Sequence, residues 1–155
     1  MKTVEQWLGE YSSSHRNLKN KTLHWICVPQ IVFAVFLALK CIPLGSALVN
    51  AESVVIALSL AYYLRLSWRL TVGLALVYVP MYLVTVLLQQ LAGPYTIWIA
   101  AAIFIEAWIG QFIGHHYEGS RPSFFKDLQF LMIGPLWLMS FLYQKWDIPL
   151  AAKTA

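Results

Sequence analysis

Apolar residues gather along this chain in five runs, at about 23–39, 47–64, 70–88, 95–114 and 128–143, each closed by a short polar stretch. The first stops at Lys40 and a Pro43/Gly45 turn signal, and the second at Arg65 and Arg69. The third contains Pro80, a kink that a bilayer helix tolerates, and ends at Gln89, Gln90 and Gly93-Pro94. The fourth carries Glu106 within it, and the fifth is short and interrupted by Gly134-Pro135. About 20 apolar residues suffice for a helix to cross the roughly 30 Å hydrocarbon core of a bilayer. The pattern therefore predicts an all-α integral membrane bundle of four to five transmembrane or re-entrant helices, in one domain covering 1–155. Residues 1–22 form a polar N-terminal segment, and 128–143 is the run suited to a re-entrant or interfacial position.

Composition strengthens this picture. Of 155 residues, 59% are hydrophobic and 12% charged, against about 25% charged in ordinary soluble domains. Seven Trp and eight Tyr suit the headgroup level, where amphipathic rings anchor helices. The net charge of +4 implies no nucleic-acid partner, because Lys and Arg collect between the apolar runs. Four spans put Lys2, Arg16, Lys19, Lys21, Arg65, Arg69, Arg121 and Lys126 on one side and leave Lys40 opposite, which makes the crowded side cytoplasmic. The setting is a bacterial inner membrane or the endoplasmic reticulum. Residues 1–21 lack the pattern of a cleavable signal peptide, so the first apolar helix is expected to stay in the mature protein. Cys27 and Cys41 lie in or beside an apolar run and read as small buried hydrophobes.

The same topology delivers every histidine, His15, His24, His115 and His116, to the cytoplasmic face together with the N-terminus. Asn17, Asn20/Lys21 and His24 share one helical stripe. His15 and His24, nine residues apart, would lie on opposite sides of a single helix and about 13 Å apart along it. Both reach one ion only if the helix starts after His15, with Ser12, Ser13, Ser14 or Asn17 as N-cap. The competing reading of this stretch is a solvated juxtamembrane segment. Gln111, His115 and Glu118 share a face at i, i+4 and i+7, whereas adjacent His115 and His116 diverge by about 100° unless the backbone loosens near Gly114 or Gly119. Imidazoles with a carboxylate suit iron, zinc, nickel or copper, and the all-oxygen sets of magnesium and calcium are absent. The competing reading is histidines satisfied by hydrogen bonds within the bundle. Glu106 stays unassigned, with Arg65, Arg69 and Lys40 as nominal partners. Trp98, Trp108, Trp137 and Trp146 read as interface and packing residues.

These clusters resemble the Mpo1-like family of small membrane proteins over most of the chain. The resemblance is carried by Tyr11, His15-x-Asn17-x-x-Asn20-Lys21-x-x-His24 and Val28-Pro29, then Gln111-Phe112-Ile113-Gly114-His115, Glu118-Gly119-x-x-Pro122-Ser123-Phe124 and Gly134-Pro135-Leu136. It implies an iron(II) (Fe2+)-dependent dioxygenase of fatty acid α-oxidation, which uses O2 to shorten a 2-hydroxy fatty acid by one carbon. It also implies His15, His24 and His115 as iron ligands, with His116 a fourth metal candidate. Glu118, Asn20 and Lys21 are the catalytic candidates, and Gln111 and Arg121 the substrate-binding ones. His116 departs from the family pattern, since some members have a non-histidine there and one more residue before the glutamate, which leaves direct ligation by Glu118 open. The partners implied are a 2-hydroxy fatty acid, O2 and the lipid bilayer. Two other functions fit the residues: a metal-dependent membrane lipid hydrolase, or a non-catalytic transporter or scaffold. Polar residues at one face rather than at the midplane argue against a transporter.

Overall fold

Side-chain caps mark where the first four helices of this all-α chain begin. The computed structural model describes residues 2–45, 49–119 and 124–150, with 124–130 described by backbone alone. Thr3 accepts from the Gln6 amide, and the Gln6 side chain accepts from the Thr3 amide, a capping box that opens α1, Val4–Ser13. Asn17 caps α2, Leu18–Lys40, and Asn50 with Ser53 forms a second capping box before α3, Ala51–Leu66. Ser67 caps α4, Trp68–Ala92. A single 3-10 turn, Gly93–Tyr95, leads into α5, Thr96–Glu118, which Gly119 closes at a φ of 69°. The last helix is α6, Phe124–Lys145. Among the described residues there is no strand, only an isolated bridge between Pro43 and Asn50.

The helices depart from the apolar runs in instructive places. Residues 1–22 are not uniformly solvated, because α1 buries Val4, Leu8 and Tyr11 in the core. Helix α2 begins at Leu18, ahead of the apolar run at 23, since Asn17 supplies the cap there. Gly134-Pro135 does not interrupt α6, and Pro29 and Pro80 likewise lie inside continuous helices. Two helical stretches, Leu18–Lys40 and Trp68–Glu118, are long and apolar enough to cross a membrane, with mean hydropathies of 1.9 and 2.1. The C-terminal half of α6 returns to the end of the bundle where α3 passes into α4. There the Tyr143 hydroxyl donates to the Arg69 carbonyl at 2.6 Å, Arg69 donates to the Pro149 carbonyl at 3.1 Å, and the Ser67 hydroxyl donates to the Leu150 carbonyl.

Helix α2 is central and packs most extensively on α5. Gly110 and Gly114 on α5, spaced as G-x-x-x-G, make that approach possible. A Cβ added at Gly110 would lie 2.4 Å from Cys27 Sγ, and one at Gly114 would lie 2.5 Å from Asn20 Oδ1. Gly114→Ala is therefore expected to lower stability by about 1–3 kcal/mol through overpacking, read as a fall in thermal unfolding temperature in detergent. An unchanged unfolding temperature would show that the two helices can part without cost.

At the opposite end of α2, Lys40 and Glu52 form a buried pair at 3.5 Å. The Thr85 hydroxyl donates to Glu52 at 2.6 Å, and the Lys40 ammonium lies 4.1 Å from the centre of the Tyr82 ring. This pair ties the end of α2 to the start of α3 and the C-terminal part of α4. Glu106 is exposed on α5, and Lys40, a nominal partner for it in the sequence, is engaged with Glu52 instead.

Candidate metal centre

Three helical segments converge on one point. The turn between α1 and the Asn17 cap carries His15, the second turn of α2 carries His24, and the last turn of α5 carries His115. The break after His15 is what removes the separation of about 13 Å that a continuous helix would impose. The three side chains are buried, at 2%, 2% and 6% exposure, and their ligand atoms all lie within 4.8 Å of one another.

The hydrogen bonds assign the ring protons. His15 Nδ1 lies 2.7 Å from the Tyr11 carbonyl, and His24 Nδ1 lies 2.9 Å from the Asn20 carbonyl. A carbonyl only accepts, so each neutral ring carries its proton on Nδ1 and presents a bare Nε2. Those two Nε2 atoms face each other at 2.9 Å. Two lone pairs so placed repel unless something electrophilic sits against both. Two cis nitrogens each about 2.1 Å from one ion lie about 3.0 Å apart, so the donor set fits a divalent metal. Burial pushes the His15 pKa down, and the Lys21 charge adds to that, against the Tyr11 carbonyl and Glu118, which raise it. The neutral imidazole favoured by this burial is the form that binds metal. The His115 ring completes the group, 5.4 Å from the His15 ring and 5.3 Å from the His24 ring, centre to centre.

Aromatic side chains hold the histidines in place. Tyr11 stacks on His15 with centroids 4.2 Å apart and planes within 3°. Trp137 of α6 packs on Tyr11 at 5.0 Å and on His15 at 5.5 Å, and its Nε1 donates to the Ser12 hydroxyl at 2.8 Å. In the sequence Tyr11 stands out only within a family pattern, and Trp137 reads as an interface and packing residue. One aromatic ring within an apolar run carries no mark of the site it walls.

Glu118 does not join the histidines. Its carboxylate accepts from the amides of Arg16 at 2.8 Å and Asn17 at 2.9 Å and from the Asn20 side chain at 2.9 Å, while the Asn17 side chain donates to the Tyr117 carbonyl. It thus clasps the end of α5 to the start of α2, where unpaired amides and the helix dipole favour an anion. Asn20 is fully buried, with its Oδ1 unpartnered, and Lys21 is half-buried beside it. Gln111 is buried and, with Tyr11, His24 and His115, lines a cavity of about 40 Å³ that continues to Val28 and Gly134. His116 is exposed, beside Tyr117, and outside the histidine group. Arg121 lies outside the described residues.

Residues 1–146 match the family model described as "Mpo1-like: 2-hydroxy-palmitic acid dioxygenase Mpo1-like". The chain is also 30% identical, over 153 residues, to the 2-hydroxy-palmitic acid dioxygenase MPO1 of Saccharomyces cerevisiae, covering 92% of this chain and 81% of the yeast protein. No solved structure matches it.

Proposed function

Because this chain belongs to the Mpo1-like family, we propose that it is an iron(II)-dependent dioxygenase that shortens a 2-hydroxy fatty acid by one carbon. The observation that carries the reading is the pair of bare Nε2 atoms of His15 and His24, 2.9 Å apart and joined by His115 in a buried group. The donor set by itself admits zinc, copper, nickel or iron. The dioxygenase named in the relative must pass electrons to O2, which zinc does not do. The reaction balances without a further reductant: R–CH(OH)–COOH and O2 give R–COOH, CO2 and H2O, with the four electrons taken by O2 all coming from the acid.

Bound iron would supply coordination of the hydroxycarboxylate and of O2 and the transfer of electrons between them. The protein does the rest. His15, His24 and His115 hold the ion, and the Tyr11 and Asn20 carbonyls keep the imidazoles in the ligating tautomer. Gln111 offers an amide donor to the substrate's oxygens at the cavity wall. Lys21, with Arg121, pairs with the carboxylate. Asn20 and Glu118 act as positioning residues, since they fix the segment that bears His15 and His24.

The same reading makes the protein an integral membrane bundle with this centre at the cytoplasmic face. Leu76, Leu83, Leu87 and Leu91 form an exposed apolar stripe on α4, and Trp98, Ile105, Ile109 and Phe112 form another on α5. Water would penalise such contiguous surface, and lipid does not.

The test is anaerobic purification in detergent, loading with iron(II), addition of 2-hydroxypalmitic acid and then air, with mass spectrometry of the products. We expect the acid one carbon shorter, dependent on both iron and O2. Bound iron without product would overturn the reaction, and failure to bind any metal would make the histidine group a structural one.

A further inference from the structure

We propose that the alkyl chain of the substrate lies in a groove between α2, α4 and α6, entered from the metal cavity past Val28 and Gly134. The inference rests on the reaction proposed above for its substrate class. The metal cavity, about 40 Å³, has room for an ion and a few oxygen atoms but not for a long chain. Beside it lies a groove of about 120 Å³ whose wall is entirely apolar, with Trp25, Val32, Leu74, Val77 and Met81 among its lining residues.

The two spaces share a wall. Val28 borders both, and Gly134 borders the metal cavity while its neighbour Pro135 borders the groove. A Cβ at Gly134 would lie 3.2 Å from Val28 Cγ1 and 3.4 Å from the Tyr11 hydroxyl. Val28 thus packs closely on Gly134 where the two spaces meet. His24 and Val28 are one helical turn apart, about 6 Å, and Val32 is about 6 Å further on. A polar head held at His24, His115 and Gln111 thus has an apolar groove beginning one turn deeper, beyond Val28, which suits an alkyl chain. The groove is open at Trp25 and Val77, each 39% exposed. Val77 belongs to α4, the helix that bears the apolar stripe at Leu76, Leu83, Leu87 and Leu91, so a chain can slide in sideways from lipid.

A 2-hydroxy fatty acid with a diazirine at its tail, irradiated with the full-length protein in detergent and mapped by mass spectrometry, tests this independently of turnover. Label on Val77 or Met81, competed by unlabelled 2-hydroxypalmitic acid, is the expected result. Label confined to the opposite wall of the metal cavity at Trp108, or groove label displaced only by phospholipid, would overturn it. Val77→Trp, which narrows the groove mouth away from the histidines, should lower kcat/KM for 2-hydroxypalmitic acid roughly tenfold or more and lower it far less for a six-carbon 2-hydroxy acid. An equal fall for both acids, or no fall for either, would count against the groove. Groove label with no shortened acid from the wild type leaves the groove standing and defeats the reaction instead. Shortened acid with label at Trp108 does the reverse.

Discussion

His24→Ala is expected to lose bound iron and turnover together, by roughly a hundredfold or more, while keeping its helical circular dichroism. The expectation follows from where His24 sits. It is the member of the group whose Nε2 faces His15 directly, and it is 2% exposed. Alanine leaves two ligands and a polar hollow, and losses of 10- to 100-fold already follow from removing supports outside the ligand set. The paired control is His116→Ala. That ring is exposed and outside the group, so metal content per chain should stay at the wild-type value. Elemental analysis of both variants decides the matter. Full iron in the His24 variant would exclude the assigned ligand set, and iron loss in the His116 variant would bring a fourth histidine into it.

Glu118→Ala is expected to weaken iron binding about 10- to 100-fold without abolishing it, and to lower the unfolding temperature of the metal-free protein. The carboxylate accepts three hydrogen bonds, two from backbone amides beside His15 and one from Asn20. Removing the acceptor strands those donors, at about 1–3 kcal/mol for each one kept from water, and frees the segment that places His15. Glu118→Gln separates positioning from ligation. Glutamine keeps one carbonyl oxygen for the amides and sets an NH2 group against the remaining donor, so it should retain iron better than alanine. If the Gln and Ala variants both lose iron as completely as His24→Ala, Glu118 is a ligand and the clasp is secondary.

Much of this centre was legible in the chain. His15, His24, His115 and His116 stand out together because imidazoles are few and charge patterning sends all four to one side, and the family resemblance picks out the first three. The requirement for a helix break after His15 is simple arithmetic on 3.6 residues per turn, and Asn17 supplies that break as an N-cap. Less was legible where function depends on residues of ordinary type. The Val4, Leu8 and Tyr11 stripe that buries α1 is short within a polar stretch. Gly110 and Gly114 gain their meaning only against Cys27 and Asn20. The Lys40–Glu52 pair joins residues that the hydropathy pattern assigns to separate boundaries.

Helical character and the set of histidines that are candidates for holding a metal are legible in the chain alone, because apolar periodicity and imidazole chemistry act within a few residues, whereas α1 and the start of α2 at Leu18 fall outside the apolar runs. Tertiary structure alone decided the rest. It placed Glu118 on the amides at the start of α2 rather than with the histidines, left His116 exposed, and put Trp137 against Tyr11 and His15. It also brought Val28 and Gly134 together where two spaces meet. Each of these depends on the rotation of one helix relative to another and on how closely the two approach. Those quantities are set by packing across segments far apart in the chain, and no local pattern encodes them.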